Sequence, residues 1–339
     1  MASLVKVSDY LVQRLVDWGV RHTFMITGGG AMHLNDSFGR QKKIKLIFNH
    51  HEQASAMAAE GYARLKQQLG VVCVTTGPGG LNCLSGLMGA WTDSVPLLFI
   101  SGQVKTSTMI RACPQLKLRQ LGDQEVDIIS IVRPLTKFAR IIDRPEEIDV
   151  VLAQAVTAAI SDRPGPVWLD IPLNIQGAML NPTAIIQGSW PQKLCPAQQH
   201  SALPLQTEGL AAVVERLLHA QRPLIVVGHG VRLAHQEEVL TKLIKQVAIP
   251  VVTSFNGMDL VPYTHPLTVG RIGTIGQRAA NKALQAADVI LFLGTRNNIR
   301  QVSYDWENFA PQAYKIVLDI DAAELAKPTL RPNLKLNFD

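Results

Sequence analysis

Two apolar patterns alternate along the chain: residues at helical spacing, and short unbroken runs. Residues 8–18 place Leu11, Leu15 and Val16 at helical spacing behind Ser8, which predicts a helix capped by Ser8. His22 to Ile26 predicts a short strand ending in Thr27-Gly28-Gly29-Gly30. A helix over 31–38, a strand over 44–48 and an alanine-rich helix over 52–65 follow. Val71 to Thr75 predicts a buried strand, then a Gly-Pro-Gly-Gly turn and a helix over 81–91. Leu97 to Ile100 and Pro166 to Ile171 predict further strands around a helix over 150–160. Unbroken apolar strands alternating with helices indicate a parallel sheet covered on both faces.

The pattern lapses between 182 and 206, where Pro, Gln and Ser dominate, and this predicts an interdomain linker. Beyond it, strands are expected at 224–227, 251–254, 289–293 and 315–319, with helices near 208–219, 236–247 and 277–286. The expected fold is α/β, with two doubly wound parallel-sheet domains over 1–181 and 207–339, the second Rossmann-like. No repeat of the solenoid kind interrupts it.

Composition narrows this only slightly. A length of 339 residues suits two domains, and an apolar share of 47% lets each bury a core. The net charge of +6 is scattered. Its densest cluster, Arg40, Lys42, Lys43 and Lys45, has no interleaved aromatic residue and reads as a solvated turn rather than a nucleic-acid surface. Cys73, Cys83, Cys113 and Cys195 form no C-x-x-C pair and no zinc spacing, and Cys73 and Cys83 lie in apolar runs that would bury them reduced. There is no signal-peptide pattern and no bilayer-length apolar run. The expectation is a cytoplasmic protein with no nucleic-acid or membrane partner and no metal site in this stretch.

Two features carry candidate chemistry. Glu52 opens a helix, where an acid is favoured by the dipole alone. Ala54, Ala56, Ala58 and Ala59 make a smooth face suited to another chain. A carboxyl pressed into such a face would hold its proton more tightly and could hand it to a ring nitrogen. Thr76 to Asn82 is a Gly-rich turn between strand and helix. It suits a ligand at backbone N–H groups, or simply a tight turn. It does not follow the dinucleotide fingerprint, and neither do Gly28-Gly29-Gly30 and Gly228-His229-Gly230.

The ordered string His51-Glu52-Gln53, Ala59-Glu60-Gly61-Tyr62-Ala63-Arg64, Thr76-Gly77-Pro78-Gly79, Asn82, Asp93-Ser94-Val95-Pro96 and Gly102-Gln103-Val104 resembles the pyrimidine-binding domain of thiamine-diphosphate enzymes. The nearest likeness is to acetolactate synthases. Gln124-Glu125, Arg163-Pro164-Gly165-Pro166-Val167 and Asp170-Ile171-Pro172 continue it. Ala279-Ala280-Asn281, Leu293-Gly294 and Asp319-Ile320-Asp321 extend it through the second domain.

That resemblance implies that Glu52 hydrogen-bonds the cofactor's pyrimidine nitrogen and so activates the cofactor toward a 2-keto acid, pyruvate by default. It implies Pro78, Gly79 and Asn82 on the pyrimidine side, Gly28 and Gly29 near the active site, Gln103 near the cofactor and Gln124 near the substrate. Ordinary strand-end and loop hydrogen bonding would equally account for the two glutamines. A homo-oligomer, dimer or tetramer, is implied because the family's site lies between subunits.

Three departures qualify it. Asp123 stands where those synthases usually have Phe, which opens a related carboligase acting on a sugar-like ketone. Gly228, Gly230, Gly273, Gly276, Arg296 and Arg300 match a structural FAD site, but Thr274, Ile275 and Asn298 depart from it. The Gly-Asp-Gly motif that holds diphosphate and Mg²⁺ in the third domain is missing, so the chain is expected to be inactive alone. A non-catalytic or split subunit acting as an assembly module is the alternative.

Overall fold

Two parallel six-stranded sheets organise the chain. The computed structural model describes residues 4–191 and 207–339. The chain divides into Met1–Gln199 and His200–Asp339.

The first unit runs β1 (Val5–Lys6), α1 (Val7–Asp17), β2 (His22–Met25), α2 (Met32–Arg40), β3 (Lys45–Phe48), α3 (Glu52–Lys66), β4 (Gly70–Val74), α4 (Pro78–Leu81), α5 (Leu84–Asp93), β5 (Leu97–Gln103), α6 (Ile128–Val132), β6 (Phe138–Ile141), α7 (Ile148–Ile160), β7 (Val167–Pro172), α8 (Leu173–Gln176) and β8 (Met179–Leu180). Its sheet has the order β3-β2-β4-β5-β7-β6, and every pair in it is parallel. β1 and β8 form a separate antiparallel ribbon.

Strand alternation divides the core in two. Val71, Cys73, Leu98 and Ile100 face α1, α2 and α7, where Leu11, Leu34 and Leu152 lie. Val72, Val74, Leu97 and Phe99 face α3, α5 and α6, where Ala59, Leu87 and Ile128 lie. Phe99 and Trp168 stack across β5 and β7 with ring centroids 4.8 Å apart. Because both faces are covered, β4, β5 and β7 are buried throughout. The edge strands β3 and β6 are partly exposed.

Several expectations change. Ser8 does not cap α1: Lys6 is the cap residue, without a side-chain bond. Ser8 is buried and accepts a hydrogen bond from Ser37 Oγ. The single helix expected over 81–91 is two, α4 and α5, broken at Asn82 and Cys83. The alanines of α3 do not form one outward face. Ala56 and Ala59 are buried against α5, where a Cβ on Gly86 would lie 2.5 Å from Ala56 Cβ, while Ala54 is exposed. Arg40 of the basic cluster pairs with Asp9 and Asp36.

Residues 182–191, read as the start of a linker, pack on the first unit instead. Ile185 joins the core beside α7, and Trp190 packs against it. Fully buried Asp149 holds this segment: its carboxylate accepts from Gly188 N (2.7 Å) and Trp190 Nε1 (3.1 Å) and pairs with Arg14 Nε (2.6 Å). The Arg14 guanidinium also lies 4.5 Å from the Trp190 ring centroid. The rest of the expected linker, 192–206, and Cys195 lie outside the described residues.

The second unit runs α9 (Thr207–His219), β9 (Pro223–Val227), α10 (Gly230–Leu233), α11 (Glu237–Val247), β10 (Val251–Thr253), β11 (Thr268–Arg271), α12 (Arg278–Ala286), β12 (Val289–Leu293), α13 (Ile299–Val302), β13 (Tyr314–Asp319), α14 (Ala322–Ala326) and β14 (Leu334–Asn337). Its sheet order, β11-β10-β9-β12-β13-β14, is the doubly wound dinucleotide-domain order. β11 and β14 were not expected. Both are edge strands, and β14 alternates partly buried and exposed positions. Among the described residues no helix is long and apolar enough to cross a membrane.

Candidate active site

Strand order locates the site. In the first sheet the chain winds from β2 outward to β3, then crosses back to β4 and on to β5. The crevice of such a sheet opens at the carboxyl ends where the winding reverses, here between β2 and β4. The Gly28–Gly30 turn leaves β2 there, and the Thr75–Asn82 turn leaves β4.

The two turns touch. Gly30 N donates to Thr75 Oγ1 at 3.1 Å. A Cβ on Gly28 would lie 2.4 Å from Thr75 Cβ, and one on Gly30 would lie 1.9 Å from Thr76 Oγ1. Asn35 Nδ2 donates to Gly28 O, and Gln176 Nε2 donates to Gly30 O. The first turn is thus fixed on both sides, with Gly29 exposed and open space where its Cβ would be.

Glu52 arrives from β3. His51 caps α3 by accepting from Gln53 N through Nδ1, which makes Glu52 the first helical residue. The partly buried Glu52 accepts from Asn82 Nδ2 at 2.9 Å through Oε2. Its Oε1 lies beside Gly79, 3.7 Å from where a Cβ would stand. The break between α4 and α5 is what turns Asn82 toward this carboxylate. Pro78 starts α4 at the position where its missing N–H costs nothing.

Gln124 meets the turn through its backbone. A Cβ on Gly77 would lie 2.1 Å from Gln124 O, and Gly77 has φ +57°. Gln124 itself is exposed, with φ +58°. Gly77→Ala therefore combines left-handed strain with a backbone clash. It should cost about 1–3 kcal/mol in chemical unfolding, and a loss under about 0.5 kcal/mol would contradict the contact.

Gln103 is placed differently from the other candidates. It is 1% exposed. Its Nε2 donates to Val126 O (3.0 Å) and Asp170 Oδ2 (2.9 Å), and its Oε1 accepts from Val104 N. These bonds occupy the amide inside the sheet, behind the crevice. Asp170 anchors the group, also accepting from Ser101 Oγ, which in turn accepts from Trp168 Nε1. Burial raises the Asp170 carboxyl to about 7, with Asp127 adding to the rise, while bonds from Ser101 and Gln103 and the charge of Arg111 oppose it. The folded state therefore binds this proton more tightly than the unfolded state, whose value is near 3.8. The stabilisation is full below that value and is lost as pH rises toward about 7, at up to about 1.4 kcal/mol per pH unit. Asp170→Asn should flatten this decline in denaturant titrations across that range; an unchanged slope would rule the assignment out.

Sequence reasoning missed Asp170, Asn35, Gln176 and Thr75 as site supports. Asp170 had a local signal, a lone acid in an unbroken apolar strand. The others had none, because only folding brings them to the Gly28–Gly30 turn.

In the second unit, Gly228 and Gly230 meet Gly294, where a Cβ on either would lie 2.3 or 2.7 Å from Gly294 O. Gly273 has φ +108° and is bonded at both N and O by Asn281. A Cβ on Gly276 would strike the backbone of Arg271 to Gly273. Each of these four glycines packs closely within the unit. Arg296 and Arg300 are joined to their surroundings through backbone carbonyls, by Lys327 and by Thr274 N respectively. Among the described residues no group of three or more His, Cys, Asp or Glu could hold a metal ion.

Comparison with known proteins identifies the family. The N-terminal TPP-binding domain of thiamine pyrophosphate enzymes matches residues 5–131. The central domain of the same enzymes matches residues 210–336. The chain belongs to the thiamine pyrophosphate enzyme family. It is 31% identical over 320 residues to acetolactate synthase isozyme 3 large subunit of Escherichia coli (strain K12), covering 94% of this chain and 53% of that protein. It is 33% identical over 329 residues to a probable acetolactate synthase large subunit of Methanocaldococcus jannaschii, covering 95% and 52%. It is 34% identical over 324 residues to acetolactate synthase 2, chloroplastic, of Nicotiana tabacum, covering 95% and 46%. The chain spans about half the length of these curated relatives.

Proposed function

We propose that this chain is the N-terminal and central part of a thiamine-diphosphate-dependent 2-keto acid carboligase of the acetolactate synthase kind, with Glu52 as its activating acid. One observation carries the reading: Glu52, Asn82 and Gly79 converge beside the winding reversal of the first sheet. A carboxylate beside a glycine, with one oxygen already bonded, suits a flat heterocycle that presents a ring nitrogen.

In this reading the Gly77–Gly79 turn, with Pro78, binds the pyrimidine edge, and Gly29 leaves room at its side while Gly28 seats the turn on Thr75. Asn82 holds Glu52 Oε2, so Oε1 is the atom that keeps or gives the proton. When bound, thiamine diphosphate supplies the electron sink for breaking and forming carbon–carbon bonds next to a carbonyl. Gln124 lies at the substrate side, and Gln103 stands behind the site as support. Mg²⁺ would be held with the diphosphate by residues outside this chain's two matched domains. The glycine contacts in the second unit give no support for FAD, and no step here depends on it.

A homo-oligomer would complete the site. Met57 and Leu65 on α3, with Met88 and Trp91 on α5, are exposed apolar side chains on two helices packed against each other, and they suit a second copy.

The test is turnover by the protein purified from its native gene, supplied with thiamine diphosphate, Mg²⁺ and pyruvate. CO₂ release with acetolactate formation is the expected result. Failure with pyruvate and with a panel of other 2-keto acids, alone or paired with sugar-like ketones, would overturn the reading.

A further inference from the structure

Between β5 and α6 the chain makes an excursion in which residues 110–121 bury no side chain. Packing does not hold it. A single carboxylate braces both of its feet: Glu125 Oε1 accepts from Ile110 N at 2.6 Å, and Oε2 accepts from Gly122 N at 3.2 Å and Leu121 N at 3.3 Å. Bonds to an ionised acceptor are the stronger kind. The loop's ion pair, Arg111 with Asp143, is exposed on both sides and adds little.

The residues flanking Glu125 are fixed to the site. Val126 O is held by Gln103 Nε2. Gln124 O rests on Gly77. Gly122 is wedged where a Cβ would lie 2.7 Å from Val104 Cγ2 and 2.8 Å from Thr108 O.

We propose that Glu125 is a positioning residue: by bracing the 110–122 loop it holds Gln124 against the Gly77 turn, and so sets the substrate side of the site. The second half of this rests on the functional reading above; the bracing does not.

Trypsin reads the bracing directly, because Arg111, Lys117 and Arg119 lie in the loop. Glu125→Ala should raise cleavage there by roughly 10- to 150-fold, the loss expected for bonds to a charged acceptor. Glu125→Gln keeps one oxygen acceptor, enough for one foot, and should fall between Ala and wild type. Asp143→Ala should stay within about 3-fold of wild type. Amide exchange over residues 121–125 should rise in the same order. In keto acid turnover by the protein from its native gene, Glu125→Ala should raise KM more than it lowers kcat.

Unchanged cleavage in both Glu125 variants would overturn the proposal. Faster cleavage with unchanged amide exchange at 121–125 and unchanged KM would leave a loop brace but overturn the positioning role. A wild-type protein inactive on every keto acid would overturn the functional reading instead, while cleavage and exchange would still decide the bracing.

Discussion

Glu52→Gln should lower 2-keto acid turnover by roughly 10²- to 10⁴-fold, the range a positioned proton donor or acceptor contributes. The substitution is close to isosteric. Its amide oxygen can still accept from Asn82 Nδ2, now 2.9 Å from Oε2, so the α3 start and the broken α4–α5 segment should keep their geometry. What the proposed mechanism would lose is the carboxyl beside Gly79. Stability should stay within about 0.5 kcal/mol of wild type, as for substitutions that leave packing intact. The measurement is steady-state turnover with thiamine diphosphate near saturation, beside a denaturant titration. Turnover within about 3-fold of wild type, in an equally stable protein, would remove Glu52 from the mechanism and favour a non-catalytic assembly role.

A large loss of stability should come from Asp149→Ala, about 1.5–3 kcal/mol in the unfolding of the first unit, because the partners left behind are only partly buried. Asp149 is fully buried, and its carboxylate serves Arg14, Gly188 N and Trp190 Nε1 together. Removing it leaves a guanidinium, a backbone N–H and an indole N–H short of their acceptor, and each unpaired group carries its desolvation cost. The Trp18 and Trp190 rings, 5.9 Å apart, would lose the anchor that seats 185–191 on α1 and α7. Asp149→Asn keeps one oxygen acceptor and should cost less. Arg40→Ala, which breaks exposed pairs with Asp9 and Asp36, should cost no more than about 1 kcal/mol. A cost for Asp149→Ala no larger than that of Arg40→Ala would show the buried cluster to be dispensable.

By itself the sequence determined the alternation of helices and strands, the two-domain plan, and the strands at the centre of each sheet. Val71 to Val74 and Leu97 to Ile100 are covered on both faces, so every position must be apolar and the run is unbroken. The edge strands β6, β11 and β14 were not legible, because Arg140, Gly270 and Lys335 break their short runs, whereas the edge strand β3 keeps Leu46, Ile47 and Phe48 together. Glu52 and the Gly77–Gly79 turn were legible as candidates because helix starts and Gly-rich turns are local features. Their meeting was not. Glu52 and Asn82 are 30 residues apart, and only the return from β3 across to β4, with the helix broken at Asn82, joins them. Tertiary structure also decided that Gln103 belongs to the sheet interior, since the same amide suits a ligand or a buried carboxylate and only burial beside Asp170 separates the two. It likewise turned 182–191 from a polar-looking linker into a packed segment, because its anchor, Asp149, lies more than thirty residues upstream on α7.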